Sequence, residues 1–266
     1  MFFIKLISLI IIIYLVILLT ILLAQRKFLY HPSMNNYLNE TGLIHKVEKV
    51  TIQTGDKIDL IGWFHQKDIK KKTLLFFHGN AGGLDDRIYK LNHIGDLDIN
   101  FLIIAYRGFN GNSGRPSEKG LYLDARGAVS WLKSKGIEEK NIILYGESLG
   151  TGVAIETGKN NFFAGIILES PFTSMVELGK IYYPYLPVRL LLKDKFESKK
   201  KIKDINFPIL VMHGIQDKIV PFYMGKKIYE LANQPKYNYF SDFDGHMMDF
   251  NNNLLNTLES FVKSLK

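Results

Sequence analysis

The stretch NIILYGESLG, residues 141–150, carries a short apolar run, Ile142, Ile143, Leu144 and Tyr145, straight into Gly146, Glu147, Ser148, Leu149 and Gly150. An apolar run of this length reads as a buried strand, and the residues 151–157 after it read as a helix. The chain must therefore reverse from strand to helix within a few residues, with Ser148 at the tightest point. Small residues on both sides let the backbone bend sharply and let the helix pack close against the strand, which leaves the serine hydroxyl at the sheet edge as a nucleophile. A five-residue pattern with three fixed positions also arises by chance, so the weight lies on its strand and helix context. No role is assigned to Glu147.

Outward from that turn, further apolar runs of strand length occupy residues 73–77, 101–105, 142–145, 165–168, 208–212 and 237–240. Segments of helical length and pattern alternate with them, including 121–135 and 252–265. Two earlier strands, 47–53 and 58–66, are joined through Thr54, Gly55, Asp56 and Lys57 and form an antiparallel start. Runs without a polar face, alternating with helices, predict an open, mostly parallel α/β sheet covered on both sides. Reactive groups in such sheets gather at the carboxyl ends of strands. Those positions hold His78, Gly79 and Asn80; Tyr106, Arg107 and Gly108; Ser148; Glu169; Asp217; and His246.

The 266 residues suit one large α/β domain, and nothing in the middle of the chain reads as a linker. Cysteine is absent, which removes disulfides, thiolate metal sites and cysteine nucleophiles together. The formal charge of +8 raises nucleic acid and anionic membrane surfaces as partners. The lysines at 70–72 and through 193–203 lack the interleaved aromatic residues that stack bases, so they read as a solvated surface and no nucleic-acid partner is expected.

From Leu6 to Ala24 no residue is charged, and 19 residues at 1.5 Å each give roughly 28 Å of helix, close to the hydrocarbon thickness of a bilayer. A cleaved signal peptide is the competing reading, but its apolar region is shorter and ends at a small-residue site, whereas this one runs into Gln25, Arg26 and Lys27. An uncleaved single-pass anchor over residues 1–27 is expected, followed by one catalytic domain over 28–266. Lys5 flanks one side of the span and Arg26 with Lys27 the other, so charge sets no orientation.

A serine hydroxyl needs a histidine to take its proton and a carboxylate to hold that histidine in the right tautomer. In sheets of this type the order along the chain is serine, acid, histidine. Of the seven histidines, His246 alone follows both Ser148 and the strand-end carboxylate Asp217. Glu169, Asp242 and Asp244 compete with Asp217 for the acid. The oxyanion formed on attack needs backbone N–H donors, expected from Leu149 and from Asn80 in the glycine-rich loop after an earlier strand. His78 and His213 read as structural residues of their loops.

Taken together, FFHGNAGG (76–83), AYRGFNGNSGRPSEKGLYLDA (105–125), YGESLG (145–150), LESPFTSM (168–175), FPILVMHGIQDKIVP (207–221) and DGHMMDF (244–250) resemble the α/β-hydrolase superfamily. Within it they are similar to the Bem46-like group, with α/β-hydrolase domain protein 13 and the domain-17 depalmitoylases. The resemblance implies a mostly parallel eight-stranded sheet with helices on both faces, no large cap domain and an N-terminal transmembrane helix. It also implies a serine hydrolase acting on carboxylic esters or thioesters, with Ser148, Asp217 and His246 as triad, and it favours Asp217 over the other acids. Lipid-like acyl groups are the expected substrates, and neither cofactor nor metal is needed. Phe109 and Asn110 depart from the tyrosine and glycine that usually follow the Arg107, Gly108 pair.

The segment between Ser170 and Asn206 is too short for a large cap. Its Tyr182, Tyr183, Pro184, Tyr185, Pro187 and leucines 190–192 either line an acyl pocket beside Ser148 or pack a short helix. A peptidase of the same fold and a non-catalytic membrane-tethered binding protein are the alternative functions. Position 148 being serine disfavours the haloalkane and epoxide chemistries that use a carboxylate nucleophile.

Overall fold

Strands that are apolar on both faces are stable only between two helical layers. In the computed structural model, which describes residues 1–33 and 40–265, these runs form the middle of one eight-stranded sheet. The catalytic-domain reading of 28–266 takes in 34–39 and 266, which lie outside the described residues. In chain order the elements are α1 (Phe2–Leu29), β1 (His31–Pro32), β2 (Glu48–Gln53), β3 (Asp59–His65), β4 (Thr73–Phe77), β5 (Ala81–Gly82), α2 (Ile88–Asp96), β6 (Asn100–Ile104) and α3 (Glu118–Ser134). There follow β7 (Ile142–Glu147), α4 (Leu149–Gly158), β8 (Gly165–Glu169), α5 (Met175–Tyr182), α6 (Val188–Leu191) and α7 (Ser198–Lys201). The chain closes with β9 (Ile209–Gly214), α8 (Phe222–Leu231), β10 (Lys236–Ser241) and α9 (Asn252–Ser264).

The sheet order is β10, β9, β8, β7, β4, β6, β3, β2, with β3 antiparallel to both its neighbours and every other pairing parallel. β4, β6, β7, β8 and β9 are buried along their whole length. The β2–β3 hairpin closes where expected, with Thr54 Oγ1 donating to Asp56 and accepting from the Ile58 N–H. Helix α3 begins at Glu118, ahead of the apolar periodicity that starts at Leu121, because Ser117 caps it by accepting from the Gly120 N–H.

Helix α1 is long and apolar enough to cross a membrane, with a mean hydropathy of 3.3 over its best 18-residue window and none of that window buried. It continues to Leu29, past the boundary expected at 27, because its last turn is bonded to the domain. The Gln25 amide donates to Leu191 O at 3.0 Å and accepts from the Lys193 N–H at 2.7 Å. Arg26 grips the buried Asp194 carboxylate through two bonds of 2.8 and 3.0 Å, and Tyr30 Oη adds a third at 3.2 Å. Directly after the helix, β1 pairs in parallel with β5, His31 opposite Ala81 and Pro32 opposite Gly82. The root of α1 is thus bonded to the loop that follows β4.

α4 packs against β7 and β4 more closely than any side chain would permit. A Cβ on Gly150 would lie 2.0 Å from Phe77 O, and one on Gly146 would lie 2.6 Å from Gly150 O and Thr151 Cα. Both obstacles are backbone and cannot rotate away. Gly150→Ala is therefore expected to lower the unfolding free energy by about 3 kcal/mol or more. Gly55→Ala, whose Cβ meets nothing within 4 Å, should stay within about 0.5 kcal/mol of wild type in the same denaturant titration.

Candidate active site

The parallel strands all end on one side, and the loops leaving β4, β7, β8, β9 and β10 meet there. β7 runs through Glu147, and Ser148 then turns the chain at φ 51°, ψ −115°, a left-handed conformation rare for a residue with a side chain. The turn is held from both sides: the Ser148 N–H donates to Glu169 O at 2.9 Å, and the Thr151 N–H donates to Ser148 O at 2.9 Å.

Ser148 Oγ lies 2.9 Å from His246 Nε2, and His246 Nδ1 lies 2.7 Å from Asp217 Oδ2. With its proton on Nδ1 donated to the carboxylate, the imidazole presents the Nε2 lone pair to the serine hydroxyl. The other oxygen of Asp217 accepts the N–H groups of Ile219 and Val220, both at 2.8 Å. Burial pushes the Asp217 carboxyl up, but hydrogen bonds from His213 and His246 overcome this and hold it well below the usual carboxylate range. His213, fully buried, lies 3.1 Å from Asp217 Oδ2 and 2.9 Å from Val220 O through one nitrogen, which locks the acid loop.

His246 is held by its backbone as well as its ring, since the Ser170 hydroxyl donates to His246 O at 2.9 Å. Ser170 itself has φ 51°. Its place directly after β8 is a sequence signal of the same kind as that of Ser148. The rival acids go elsewhere. Glu169 bonds Lys90 and Tyr145, Asp244 accepts from the Asp249 N–H, and Asp242 offers only its carbonyl, to Gln216.

Leu149 is the first residue of α4, so its N–H has no acceptor inside the helix and lies at the positive end of the helix dipole. Across from it runs the loop after β4: a Cβ on Gly79 would stand 3.6 Å from Ser148 Cβ. Asn80 follows, its side-chain amide donating to Leu29 O at 2.7 Å and its carbonyl accepting the His31 N–H at 2.8 Å. This leaves the Asn80 side chain engaged with the root of α1. His78 is fully buried, donates from Nδ1 to Gly79 O and accepts from the Tyr106 N–H, and burial pushes its pKa down to about 3, so it stays neutral.

Glu147, to which the sequence assigned no role, has a structural one. It lies buried beneath Ser148 and accepts from Arg87 Nη2 at 2.7 Å, Lys90 Nζ at 2.6 Å and the Gly79 N–H at 3.2 Å. Lys90 reaches Glu169 at 2.7 and 2.9 Å, and the Met248 N–H approaches the same carboxylate at 3.4 Å. Burial acts against the charged forms of Glu147 and Lys90. Lys90 and Arg87 nonetheless hold the Glu147 carboxyl far below its ordinary range, and Glu169 with Glu147 raises the Lys90 ammonium above its own. The one sequence signal was a glutamate at the end of a strand otherwise wholly apolar.

The aromatic segment is also placed differently from either expectation. Tyr182, Tyr183, Leu191 and Leu192 line an apolar cleft of about 360 Å³ whose opposite wall is α1, through Ile21, Gln25, Phe28 and Leu29. Ser148 is not part of its lining. The cleft meets the site indirectly, through the Leu29 contact with Asn80 and through Tyr182 Oη, which lies 2.8 and 2.7 Å from the carbonyls of Lys218 and Ile219 beside Asp217.

A mostly parallel sheet of this order, with a serine at the strained turn after a central strand, defines an α/β hydrolase. The chain belongs to the α/β-hydrolase family. It is 35% identical over 215 residues to the uncharacterized protein Rv2307c of Mycobacterium tuberculosis, covering 80% of this chain and 76% of that one. It is 34% identical over 198 residues to the lysophosphatidylserine lipase ABHD12 of Danio rerio, covering 67% of this chain but only 50% of that protein. Among solved structures, the Pyrococcus furiosus esterase Pf2001 superposes with a TM-score of 0.73 at 20% identity, over 89% of this chain and 99% of that one. No family model matches the sequence.

Replacing Glu147 by glutamine leaves Arg87 and Lys90 with one buried carboxylate. Glu147→Gln is expected to lower the unfolding free energy of the solubilised protein by about 3–5 kcal/mol at neutral pH. Because the folded-state pKa of Glu147 lies below its ordinary 4.5, its contribution is complete above that pH and is lost as pH falls toward the depressed value. Denaturant titrations of wild type and variant should therefore converge below pH 4.5; a gap that stays constant through that range would contradict the assignment.

Proposed function

We propose that the protein is a membrane-anchored serine hydrolase that cleaves carboxylic esters or thioesters of lipid-like acyl groups. The observation that carries this reading is the unbroken chain from Ser148 Oγ to His246 at 2.9 Å and from His246 to Asp217 at 2.7 Å. Ser148 attacks the acyl carbon as His246 Nε2 takes its proton. The resulting oxyanion is held by the backbone N–H groups of Leu149 and Asn80. The imidazolium, stabilised by Asp217, returns the proton to the departing alcohol or thiol and leaves an acyl-Ser148. Water, deprotonated by His246, then attacks the acyl-enzyme, and the carboxylic acid leaves as Ser148 recovers its proton. The scheme needs neither metal nor organic cofactor.

Two further observations favour a lipid-like substrate at a membrane: the apolar span of α1, and the similarity to ABHD12, named for its action on lysophosphatidylserine. Residues 1–27 serve as single-pass anchor and 28–266 as catalytic domain. Ser148→Ala is expected to abolish labelling by a fluorophosphonate probe and to lower kcat on an acyl ester by on the order of 10³-fold or more. Asp217→Asn should cost on the order of 10⁴-fold while leaving the fold intact. Probe labelling that persists in Ser148→Ala would move the nucleophile elsewhere.

A further inference from the structure

The chain leaving α5 does not lie down on the sheet. It runs along α1 and touches it at two levels. Near the root, Gln25 bonds the backbone of Leu191 and Lys193, and farther out the Tyr14 hydroxyl donates to Tyr185 O at 2.9 Å. Tyr14 and Gln25 are separated along α1 by about 16 Å at 1.5 Å per residue, roughly half the hydrocarbon thickness of a bilayer. With α1 in the membrane, Tyr185 lies at the level of Tyr14, well inside the apolar part of the span.

The segment is built for that environment. Tyr185 and Leu190 are 88% and 83% exposed, and Ile181 and Tyr183 are exposed beside them. Backbone groups in hydrocarbon must find partners within the protein. Here the N–H groups of Tyr183, Leu186, Val188, Leu190, Leu191 and Leu192 donate inside the segment or to α5, Pro184 and Pro187 bring no N–H, and within 183–192 those of Tyr185 and Arg189 lack an acceptor among the described residues. The Tyr14 hydroxyl and the Tyr185 carbonyl satisfy each other, and the Thr20 hydroxyl is spent on Val16 O. Lys180 and Lys193 bracket the segment in sequence, and Arg189 within it has an aliphatic stem long enough to carry its charge toward lipid headgroups.

We propose that residues 181–190 are immersed in the bilayer beside α1, so that the cleft between them opens to the lipid phase and takes in the acyl chain of a membrane lipid. Its acyl chain then lies between Ile21 and Phe28 on one side and Leu178 and Leu186 on the other. Its carbonyl end emerges where Leu29 meets Asn80 and Tyr182 meets the Asp217 loop. The acyl part of the inference rests on the serine-hydrolase reading; the immersion does not.

The test uses the full chain in phosphatidylcholine vesicles. Since the protein has no cysteine, each engineered cysteine is a unique attachment point for a nitroxide. Labels at Tyr185→Cys and Leu190→Cys should collide with oxygen in preference to a water-soluble nickel chelate, as a label at Leu15→Cys on α1 does. A label at Phe162→Cys, at the opposite end of the sheet, should show the reverse. Labels at 185 and 190 that behave like the one at 162 overturn the immersion. For the acyl chain, Leu178→Trp and, from the other wall, Ile21→Trp should each lower the ratio of long-chain to acetyl ester hydrolysis by about tenfold or more. An unchanged ratio in both, with hydrolysis still dependent on Ser148, overturns the cleft assignment and leaves the serine hydrolase standing. A wild-type protein that cleaves neither ester overturns the serine-hydrolase reading and the acyl assignment with it, while the nitroxide result still decides the immersion.

Discussion

Beneath Ser148, Arg87 and Lys90 face Glu147 and Glu169 in a space almost closed to water, and the four come from three separate parts of the chain. Taking an ion out of water costs several kcal/mol, and only complete pairing offsets it. The start of α2, the end of β7 and the end of β8 must therefore arrive together or not at all. Two backbone groups join the same network: the Gly79 N–H reaches Glu147 and the Met248 N–H approaches Glu169. Through them the loop after β4 and the loop carrying His246 are referred to one rigid centre, with Ser148 directly above it.

Such a centre accounts for the strain that the turn at Ser148 sustains. A serine at φ 51° persists only where its surroundings leave it no alternative. Glu147 is fixed on one side of it and α4 is packed on the other, at distances that exclude even a methyl group at Gly150. The acid side follows the same logic with fewer charges. Asp217 is ionised because two backbone N–H groups and two histidines converge on it, and His246 is aimed by its ring and by its carbonyl together.

Asp194 does for the root of α1 what Glu147 does for the turn. A single buried carboxylate gathers Arg26, Tyr30 and the Glu118 N–H, and so bonds the root of α1 to α3 and to the segment after α6. Helix α1 then hands over through the β1–β5 pairing to the loop holding Asn80. The outcome is a short bonded route from the apolar helix to the edge of the site. A substrate drawn from a lipid layer would need its carbonyl delivered along just such a route.

Much of this was legible in the sequence. The five central strands are buried on both faces and carry uninterrupted apolar runs, and the β2–β3 pair is marked by its turn residues, so the sheet could be traced; the GESLG turn, the chain order of Ser148, Asp217 and His246, and the apolar length of α1 are patterns that a chain displays whether folded or not. The partners of a buried charge are not local. Arg87, Lys90, Glu147 and Ser170 carried no role in the sequence, because nothing in a linear order reveals which groups will be shut away together. The aromatic run at 182–192 could be seen to be apolar but not what it would face. The sheet, the GESLG turn and a helix long enough for a bilayer followed from the linear order alone, since each depends on residues adjacent in the chain. The buried ion network under the site and the cleft against α1 arise only on folding, since both depend on contacts between residues 24 to more than 160 positions apart, whose energy exists only once water has been excluded between them.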